Sequence, residues 1–211
     1  MIYWITCFIL RILCRILFDH KSYGMENLPK KGSYIVAANH VSHLDPCVSG
    51  AFIKGKMNYI GKKELFKARW WGWYLRKVRV IELDQAAPAK GTRAVITFIK
   101  KGYPIFIFPE GTRSDGVSFL EPEPGVAYLA IKHNLPVVPV YISGTNIAMP
   151  KGVWRITRHP VRVYYGKPKV YHLPEGVSKD EGYKKVSHEI MDEIKALKEK
   201  YNNSACDEPK D

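Results

Sequence analysis

The chain has 211 residues, 46% of them hydrophobic and 25% charged, which is enough for one globular domain with its own core. This balance excludes a disordered chain and a polytopic membrane protein. Thirty-three Lys and Arg side chains against 20 Asp and Glu give a net charge of +13, which favours acidic partners: nucleic acid, an anionic bilayer surface or phosphorylated small molecules.

The cysteines and the common catalytic signatures exclude further classes. Cys7, Cys14, Cys47 and Cys206 have neither C-x-x-C spacing nor the density of a disulfide scaffold, which indicates a reduced, cytosol-facing chain. The sequence has no G-x-x-x-x-G-K-[ST], G-x-G-x-x-G, H-E-x-x-H or G-x-S-x-G motif. This argues against nucleotide-dependent kinases, Rossmann dehydrogenases, zincins and hydrolases with a nucleophile elbow.

Residues 2–18 are apolar except for Thr6, Arg11 and Arg15. A helix of this length spans roughly 25 Å, short of the ~30 Å hydrocarbon core, and a buried arginine opposes a full crossing. The two arginines are four residues apart, so both can reach headgroup phosphates from one helix face. The pattern predicts a membrane-associated helix within residues 1–21, lying in one leaflet. A cleaved signal peptide and a buried core helix are the alternatives.

Further elements follow in chain order. Residues 69–77 crowd four aromatic side chains between basic ones, which is typical of a bilayer interface or of an aromatic core cluster. Short apolar runs predict strands at residues 33–38, 57–60, 78–83, 105–108, 137–142 and 161–165. Helical patterns cover residues 88–101, 125–133 and 179–201. The alternation predicts an α/β domain over residues 22–201, with a single largely parallel sheet flanked by helices. Residues 202–211 are expected to form a disordered tail.

The first candidate site follows the first predicted strand, as Asn39-His40-Val41-Ser42-His43-Leu44-Asp45-Pro46. Sites of α/β sheets usually lie at the carboxyl ends of strands. If the chain turns between His40 and Asp45, the carboxylate can fix the imidazole tautomer and leave the other ring nitrogen free as a base. The alternative is that Asp45 merely caps a helix and His40 is a polar loop residue.

The second candidate site, Phe108-Pro109-Glu110-Gly111-Thr112-Arg113-Ser114, also follows a predicted strand. Gly111 permits a tight turn, and Arg113 offers a planar set of donors for a phosphate or carboxylate. Glu110 could orient a hydroxyl or hold a basic side chain. Taken alone, this segment could be an ordinary surface turn.

Together, N-H-x-x-x-x-D, F-P-E-G-T-R-S about seventy residues later and Leu135-Pro136-Val137-Val138-Pro139-Val140 resemble the glycerolipid acyltransferase family, specifically 1-acyl-sn-glycerol-3-phosphate acyltransferases. The resemblance covers roughly residues 31–165. It implies the family's α/β fold and transfer of a fatty acyl group from acyl-CoA or acyl carrier protein to lysophosphatidic acid, forming phosphatidic acid. No cofactor is implied beyond the thioester substrate.

The resemblance also implies roles for residues. His40 would be the general base and Asp45 its partner, with Arg113 on the acceptor phosphate. Pro136 and Pro139 would shape a substrate pocket. Glu110, Gly111 and Arg113 would help to bind the acceptor, with Thr112 and Ser114 as their neighbours. Lys62 is added to this set as a candidate cation for the acceptor phosphate, not by the resemblance. The implied location is peripheral or monotopic, on the cytoplasmic side of the cell membrane.

One position departs from the family pattern. Gln85 stands where an arginine is expected after a short apolar strand. A neutral amide cannot supply the charge of a guanidinium, so another cation would complete the phosphate site, or the acceptor would differ. The candidate cations are Lys62, Lys63, Arg79 and Lys101.

The implied chemistry needs a base, an aligned hydroxyl and donors for the developing oxyanion. Backbone amides around His40 are the expected oxyanion donors, and a covalent intermediate through Ser42 stays open. Two other functions remain as alternatives: acylation of a different lysophospholipid, and a basic peripheral or nucleic-acid-binding protein without catalysis. The spread of basic residues matches no nucleic-acid motif, so no nucleic-acid partner is expected.

Overall fold

One mostly parallel sheet of seven strands organises the computed structural model, which describes residues 1–84, 86 and 88–205. The strands are β1 (Lys21–Tyr23), β2 (Ile35–Ala38), β3 (Asn58–Lys62), β4 (Val80–Leu83), β5 (Ile105–Ile107), β6 (Val137–Ser143) and β7 (Arg162–Tyr165). The helices are α1 (Ile2–Phe18), α2 (Asp45–Gly50), α3 (Arg69–Lys77), α4 (Pro88–Lys100), α5 (Gly125–Lys132), α6 (Thr145–Ala148) and α7 (Lys179–Ala205). Two 3-10 turns occupy Met25–Asn27 and Lys63–Phe66.

The strand order places the two candidate motifs side by side. The order is β1-β7-β6-β2-β5-β3-β4, and all neighbours are parallel except β6 and β7. Strands β2 and β5 are adjacent, with Ala37 opposite Ile107. Because parallel strands end at the same edge, the segments that follow β2 and β5 leave the sheet next to each other.

Strand β2 shows why both faces of the sheet are covered. Its four residues are fully buried, and successive side chains point to opposite faces. Ile35 and Ala37 join the core under α4, α5 and α7, whereas Val36 and Ala38 join the core under α1 and α2. A strand buried on both faces reads as a continuous apolar run, as residues 35–38 do.

The predicted strands and helices are all found, and the main differences concern β1, α3 and α7, besides the short helices α2 and α6, which no helical pattern predicted. All six predicted strands are present, but β1 was missed because it has only three residues and begins with Lys21 and Ser22. Helix α3 was seen only as an aromatic cluster, and just Gly72 and Leu75 of it are buried. Helix α7 extends to Ala205, into the predicted tail of residues 202–211. Residues 206–211 lie outside the described residues.

Helix α1 packs on the domain by one face and exposes apolar side chains on the other. Its buried residues, Tyr3, Cys7, Cys14 and Phe18, follow helical spacing. The exposed large side chains are Trp4, Ile5, Phe8, Ile9, Ile12, Leu13 and Ile16. Among the described residues, no helix combines the length and the apolar character needed to cross a bilayer.

The two arginines of α1 have different surroundings. The Nε of Arg11 donates a 2.6 Å hydrogen bond to the carbonyl oxygen of Ala51, at the end of α2. Arg15 is exposed. Arg11 therefore ties α1 to the domain through its Nε. That both arginines reach lipid headgroups stays a prediction.

Candidate active site

The imidazole of His40 is held by the carboxylate of Asp45 at the carboxyl edge of the sheet. Nδ1 of His40 lies 2.8 Å from Oδ2 of Asp45. The His40 side chain is 18% exposed, and its ring stacks on Phe108 at 3.9 Å between centroids. With Nδ1 engaged by the carboxylate, Nε2 is the nitrogen left to meet a substrate.

Asp45 is the first residue of α2, is fully buried and accepts four hydrogen bonds. Its Oδ2 also accepts the backbone amides of Val41 at 2.7 Å and Ser42 at 2.8 Å. Its Oδ1 accepts the hydroxyl of Thr145 at 2.6 Å. The carboxylate therefore shapes the turn between His40 and α2 and orients the imidazole, so the predicted meeting of His40 and Asp45 is found.

Glu110 joins the second motif to the first through backbone groups. Oε1 accepts the amide of His40 at 2.8 Å, and Oε2 accepts the amide of Leu120 at 2.8 Å. The amide of Ser114 donates to the carbonyl of His40, also at 2.8 Å. Glu110 is buried, and burial raises its pKa, against the two backbone hydrogen bonds, which lower it. The expectation that Glu110 orients a substrate hydroxyl or holds a basic side chain differs from this geometry, because both oxygens are engaged by backbone amides.

The other residues of the second motif divide into exposed and buried groups. Gly111, at φ +64°, and Thr112 are exposed at the turn. Arg113 is half-buried, and its carbonyl accepts the ammonium of Lys151 at 2.7 Å. Ser114 is buried, and its hydroxyl oxygen accepts the amide of Gly116. Arg113 is therefore the member of the motif that has a charged side chain at the edge of the site.

His43 forms a wall of the same site that the sequence did not single out. Its ring stacks on Trp154 with 5.1 Å between centroids and an interplanar angle of 17°. Burial lowers the pKa of His43, and the nearby charge of Arg113 lowers it further. A neutral aromatic pair therefore lies beside the Arg113 cation.

The candidate cations occupy two different edges of the sheet. Lys62 is exposed at the end of β3, and Lys63 follows it, with its ammonium 2.7 Å from Asp84. Arg79 lies at the opposite edge, where its guanidinium bonds Asn58 at 3.0 Å and lies 4.2 Å over the Tyr103 ring. Lys101, just before β5, also lies at that opposite edge. Arg79 and Lys101 therefore cannot complete a phosphate site beside His40, and Gln85 lies outside the described residues.

The local hydrogen bonds bear on one open alternative, a covalent intermediate through Ser42, and on one expectation, the backbone oxyanion donors. Ser42 is fully buried and donates its hydroxyl to the carbonyl of Met149 at 2.8 Å, so it is not placed as a nucleophile. The amides of His40, Val41 and Ser42 all donate to carboxylates within the protein. These amides are therefore not free to act as the expected oxyanion donors.

Two residues of the site escaped sequence reasoning. Thr145 is 100 residues beyond Asp45 and Trp154 is more than a hundred beyond His43, so no local spacing connects them. The signal for Thr145 was its position immediately after β6, the neighbour of β2. For metals, the described residues contain no group of three or more His, Cys, Asp and Glu side chains able to hold an ion.

Comparison with known proteins finds relatives that share one enzyme name. The 1-acyl-sn-glycerol-3-phosphate acyltransferase of Limnanthes alba is 31% identical over 176 residues, which cover 79% of this chain and 60% of that protein. The enzyme of the same name from Escherichia coli is 31% identical over 141 residues, covering 65% of this chain and 54% of that protein. The chain thus spans about 60% of the length of the Limnanthes relative.

A solved structure and a family profile agree with these relatives. The crystal structure of the 1-acyl-sn-glycerophosphate acyltransferase PlsC from Thermotoga maritima superposes with a TM-score of 0.75 at 30% identity, covering 93% of this chain and 79% of that one. The sequence profile of the family described as Acyltransferase matches residues 19–143, which include His40, Asp45 and the whole second motif. The chain therefore belongs to the acyltransferase family.

Proposed function

We propose that the protein transfers a fatty acyl group from acyl-CoA or acyl carrier protein to the sn-2 hydroxyl of lysophosphatidic acid, forming phosphatidic acid. The relatives named above are called 1-acyl-sn-glycerol-3-phosphate acyltransferases, and the structural neighbour is named for lysophosphatidic acid. The observation that carries the proposal is the His40–Asp45 pair, held at 2.8 Å with Nε2 of His40 left for a substrate.

In this reaction Nε2 of His40 removes the proton of the acceptor hydroxyl as its oxygen attacks the thioester carbonyl. The buried carboxylate of Asp45 holds the imidazole in the correct tautomer and stabilises the imidazolium that forms. Collapse of the tetrahedral intermediate breaks the carbon–sulfur bond, and the imidazolium proton passes to the departing thiolate. The acyl group goes directly to the acceptor, because Ser42 donates its hydroxyl elsewhere.

The acceptor phosphate is proposed to lie between Arg113 and Lys62. Both cations lie at the carboxyl edge of the sheet, whereas Lys63 is paired with Asp84. A guanidinium suits a phosphate because it can donate two parallel hydrogen bonds.

Gln85 favours the second candidate function, acylation of another lysophospholipid. The test measures the KM for lysophosphatidic acid and for lysophosphatidylcholine in wild type and in Gln85→Arg. A KM that falls in the variant for lysophosphatidic acid but not for lysophosphatidylcholine would favour this second candidate.

The exposed apolar face of α1 and the tryptophans of α3 are proposed to contact the cytoplasmic side of the cell membrane. Trp70 and Trp73 are 73% and 53% exposed. The hydroxyl oxygens of Tyr74 and Thr6 are 3.0 Å apart, which joins α3 to α1. Aromatic and basic side chains of this kind favour the bilayer interface. Replacing Phe8 and Ile12 with Ser should weaken sedimentation with anionic vesicles; unchanged partitioning would contradict the anchor.

The reaction is tested by measuring phosphatidic acid formed from lysophosphatidic acid and each thioester, with wild type and His40→Ala compared. Removing a positioned general base should lower the rate about 10² to 10⁴-fold. Thermal denaturation of both proteins controls for folding. No product with either donor would refute the reaction, and a fully active His40→Ala would refute the mechanism.

A further inference from the structure

The loop of residues 151–159, between α6 and β7, exposes side chains that the proposed chemistry does not use. Every residue from 151 to 158 is exposed, and none is in a helix or strand. Trp154 is 81% exposed, Val153 46% and Ile156 49%. Three large apolar side chains within four positions are unusual on a surface that only water contacts.

The charge of this loop has one sign. Its cations Lys151, Arg155 and Arg158 alternate with the apolar side chains, and residues 124–174 contain no Asp or Glu. Asp115, from outside this stretch, lies near enough to Lys151 for their charges to interact, whereas Arg155 and Arg158 have no acidic residue within their own stretch of sequence. A surface of this kind is complementary to a negatively charged partner.

Contacts place the loop against the catalytic site. The Trp154 ring stacks on His43, three residues after the general base, and the ammonium of Lys151 donates to the carbonyl of Arg113. The amide of Thr157 donates to the carbonyl of Ala148, which fixes the loop near the end of α6. The loop is thus part of the rim of the site.

The loop is also continuous with the end of α1. Just after the loop, the amide of Val161 donates to the carbonyl of Phe18 at 2.8 Å. The next residue, Arg162, pairs with Asp19 at 2.7 Å. The carboxyl end of α1 therefore lies beside the segment through which the loop returns to the sheet.

The combination favours a lipid surface over an acidic protein or a nucleotide. Tryptophan with aliphatic neighbours gains by entering the interface between headgroups and acyl chains, while Arg and Lys beside it meet lipid phosphates. A partner that bound through charge alone would need only the cations, and Val153 and Ile156 would stay exposed to water. Charge complementarity and the continuity with α1 point to the same anionic bilayer.

We propose that the 151–159 loop is a second lipid-contacting element, which holds the rim of the catalytic site against an anionic bilayer. The proposal rests on the proposed function, because an acceptor with a fatty acyl chain resides in that bilayer. Contact through both α1 and the neighbouring loop would let the acceptor hydroxyl reach His40 while its acyl chain stays in the leaflet.

The first test is sedimentation of the full chain with vesicles of phosphatidylcholine containing phosphatidylglycerol. Arg155→Glu/Arg158→Glu should weaken vesicle binding by about tenfold or more, since each basic residue near an anionic surface contributes to attraction. The matched control is Lys184→Glu/Lys185→Glu, which makes the same charge change on exposed residues of α7, under the other face of the sheet. An equal loss in both variants, or no loss in the loop variant, would overturn the proposal.

The second test reports Trp154 directly, so that binding through α1 cannot conceal the result. The difference in fluorescence between wild type and Trp154→Phe isolates the emission of Trp154, and vesicles containing brominated phosphatidylcholine should quench it. Emission that is unchanged by brominated lipid would overturn the proposal.

Activity separates this proposal from the proposed function. With a dispersed short-chain lysophosphatidic acid, Arg155→Glu/Arg158→Glu should retain the wild-type rate and lose rate only on vesicles. A raised KM for the acyl donor without vesicles would overturn the proposal in favour of a donor-docking site. If wild type acylates nothing yet vesicle binding depends on the loop, the proposed function fails and the lipid contact stands.

Discussion

Replacing Glu110 with Gln removes a charge from the junction of the two motifs while keeping the side-chain shape. Both oxygens of Glu110 accept backbone amides, from His40 on one side and Leu120 on the other. A glutamine has one acceptor and one donor at these positions, so its NH₂ group must face an N–H in either orientation. Turning the amide over cannot relieve the conflict.

The expected magnitude follows from these two contacts. One buried backbone N–H is left unsatisfied, which costs about 1 to 3 kcal/mol, and the other hydrogen bond loses its charge assistance, at roughly 1 kcal/mol. The free energy of unfolding should therefore fall by about 2 to 4 kcal/mol, a large part of the ~5 to 15 kcal/mol typical of a domain. Since the His40 backbone is one of the affected groups, turnover should fall as well.

The assay is urea denaturation followed by tryptophan fluorescence, with acyl transfer measured on the same samples. Glu175→Gln is the matched control, because it removes the same charge from an exposed side chain and should change stability by less than about 0.5 kcal/mol. If Glu110→Gln were as stable as Glu175→Gln, the role of Glu110 as a link between the two loops would be refuted.

Four further outcomes are expected. Asp45→Asn should fold, because its amide can turn its oxygen to the imidazole of His40 and its NH₂ to the hydroxyl of Thr145. Its kcat should fall about 10² to 10⁴-fold, because the charge that stabilises the imidazolium is lost. A near wild-type kcat would contradict this. The rate of acyl transfer by Ser42→Ala should stay within about tenfold of the wild-type rate, because the Ser42 hydroxyl is not a nucleophile. Mass spectrometry should detect no acyl-enzyme in wild type. Gly144→Ala should lose stability in thermal denaturation, since a Cβ at φ +88° would lie 2.1 Å from the Pro160 carbonyl oxygen. Burial lowers the pKa of His20 from 6.5 to about 4, so the unfolded state takes up the proton first and stability should fall as pH drops from 6.5 towards 4; this loss should disappear in His20→Phe, and an unchanged pH profile would disprove it.

The sequence was most informative where strands are buried on both faces. The runs at residues 33–38 and 137–142 predicted β2 and β6, because continuous apolar runs of β-forming residues are typical of strands buried on both faces. Both candidate motifs were predicted to follow strands, and the structure shows that the segments after β2 and β5 share an edge of the sheet. Strand β1 lacked this signal, since it is short, polar and paired only at the edge of the sheet.

The contact between His40 and Asp45 was predictable, whereas the environment around it was not. His40 and Asp45 are five positions apart, so a single turn brings them together. Thr145 and Trp154 reach the same place only through the return of the chain along β6, and no spacing in the sequence reports such contacts. For Glu110 the sequence predicted a contact with substrate, because a carboxylate near a site suggests a ligand, while its backbone-amide partners are invisible in sequence.

The division of α1 into two faces means that truncation cannot separate the proposed membrane attachment from folding. Phe18 and Cys14 are buried in the same core as Val36 and Val138 of the central strands. Deleting the helix would open that core. Loss of membrane binding by a shortened chain would therefore reflect unfolding as much as the loss of the lipid-contacting face. By the same reasoning, lipid that binds the outer face acts as a ligand of the native state, and resistance to heat should rise with vesicle concentration.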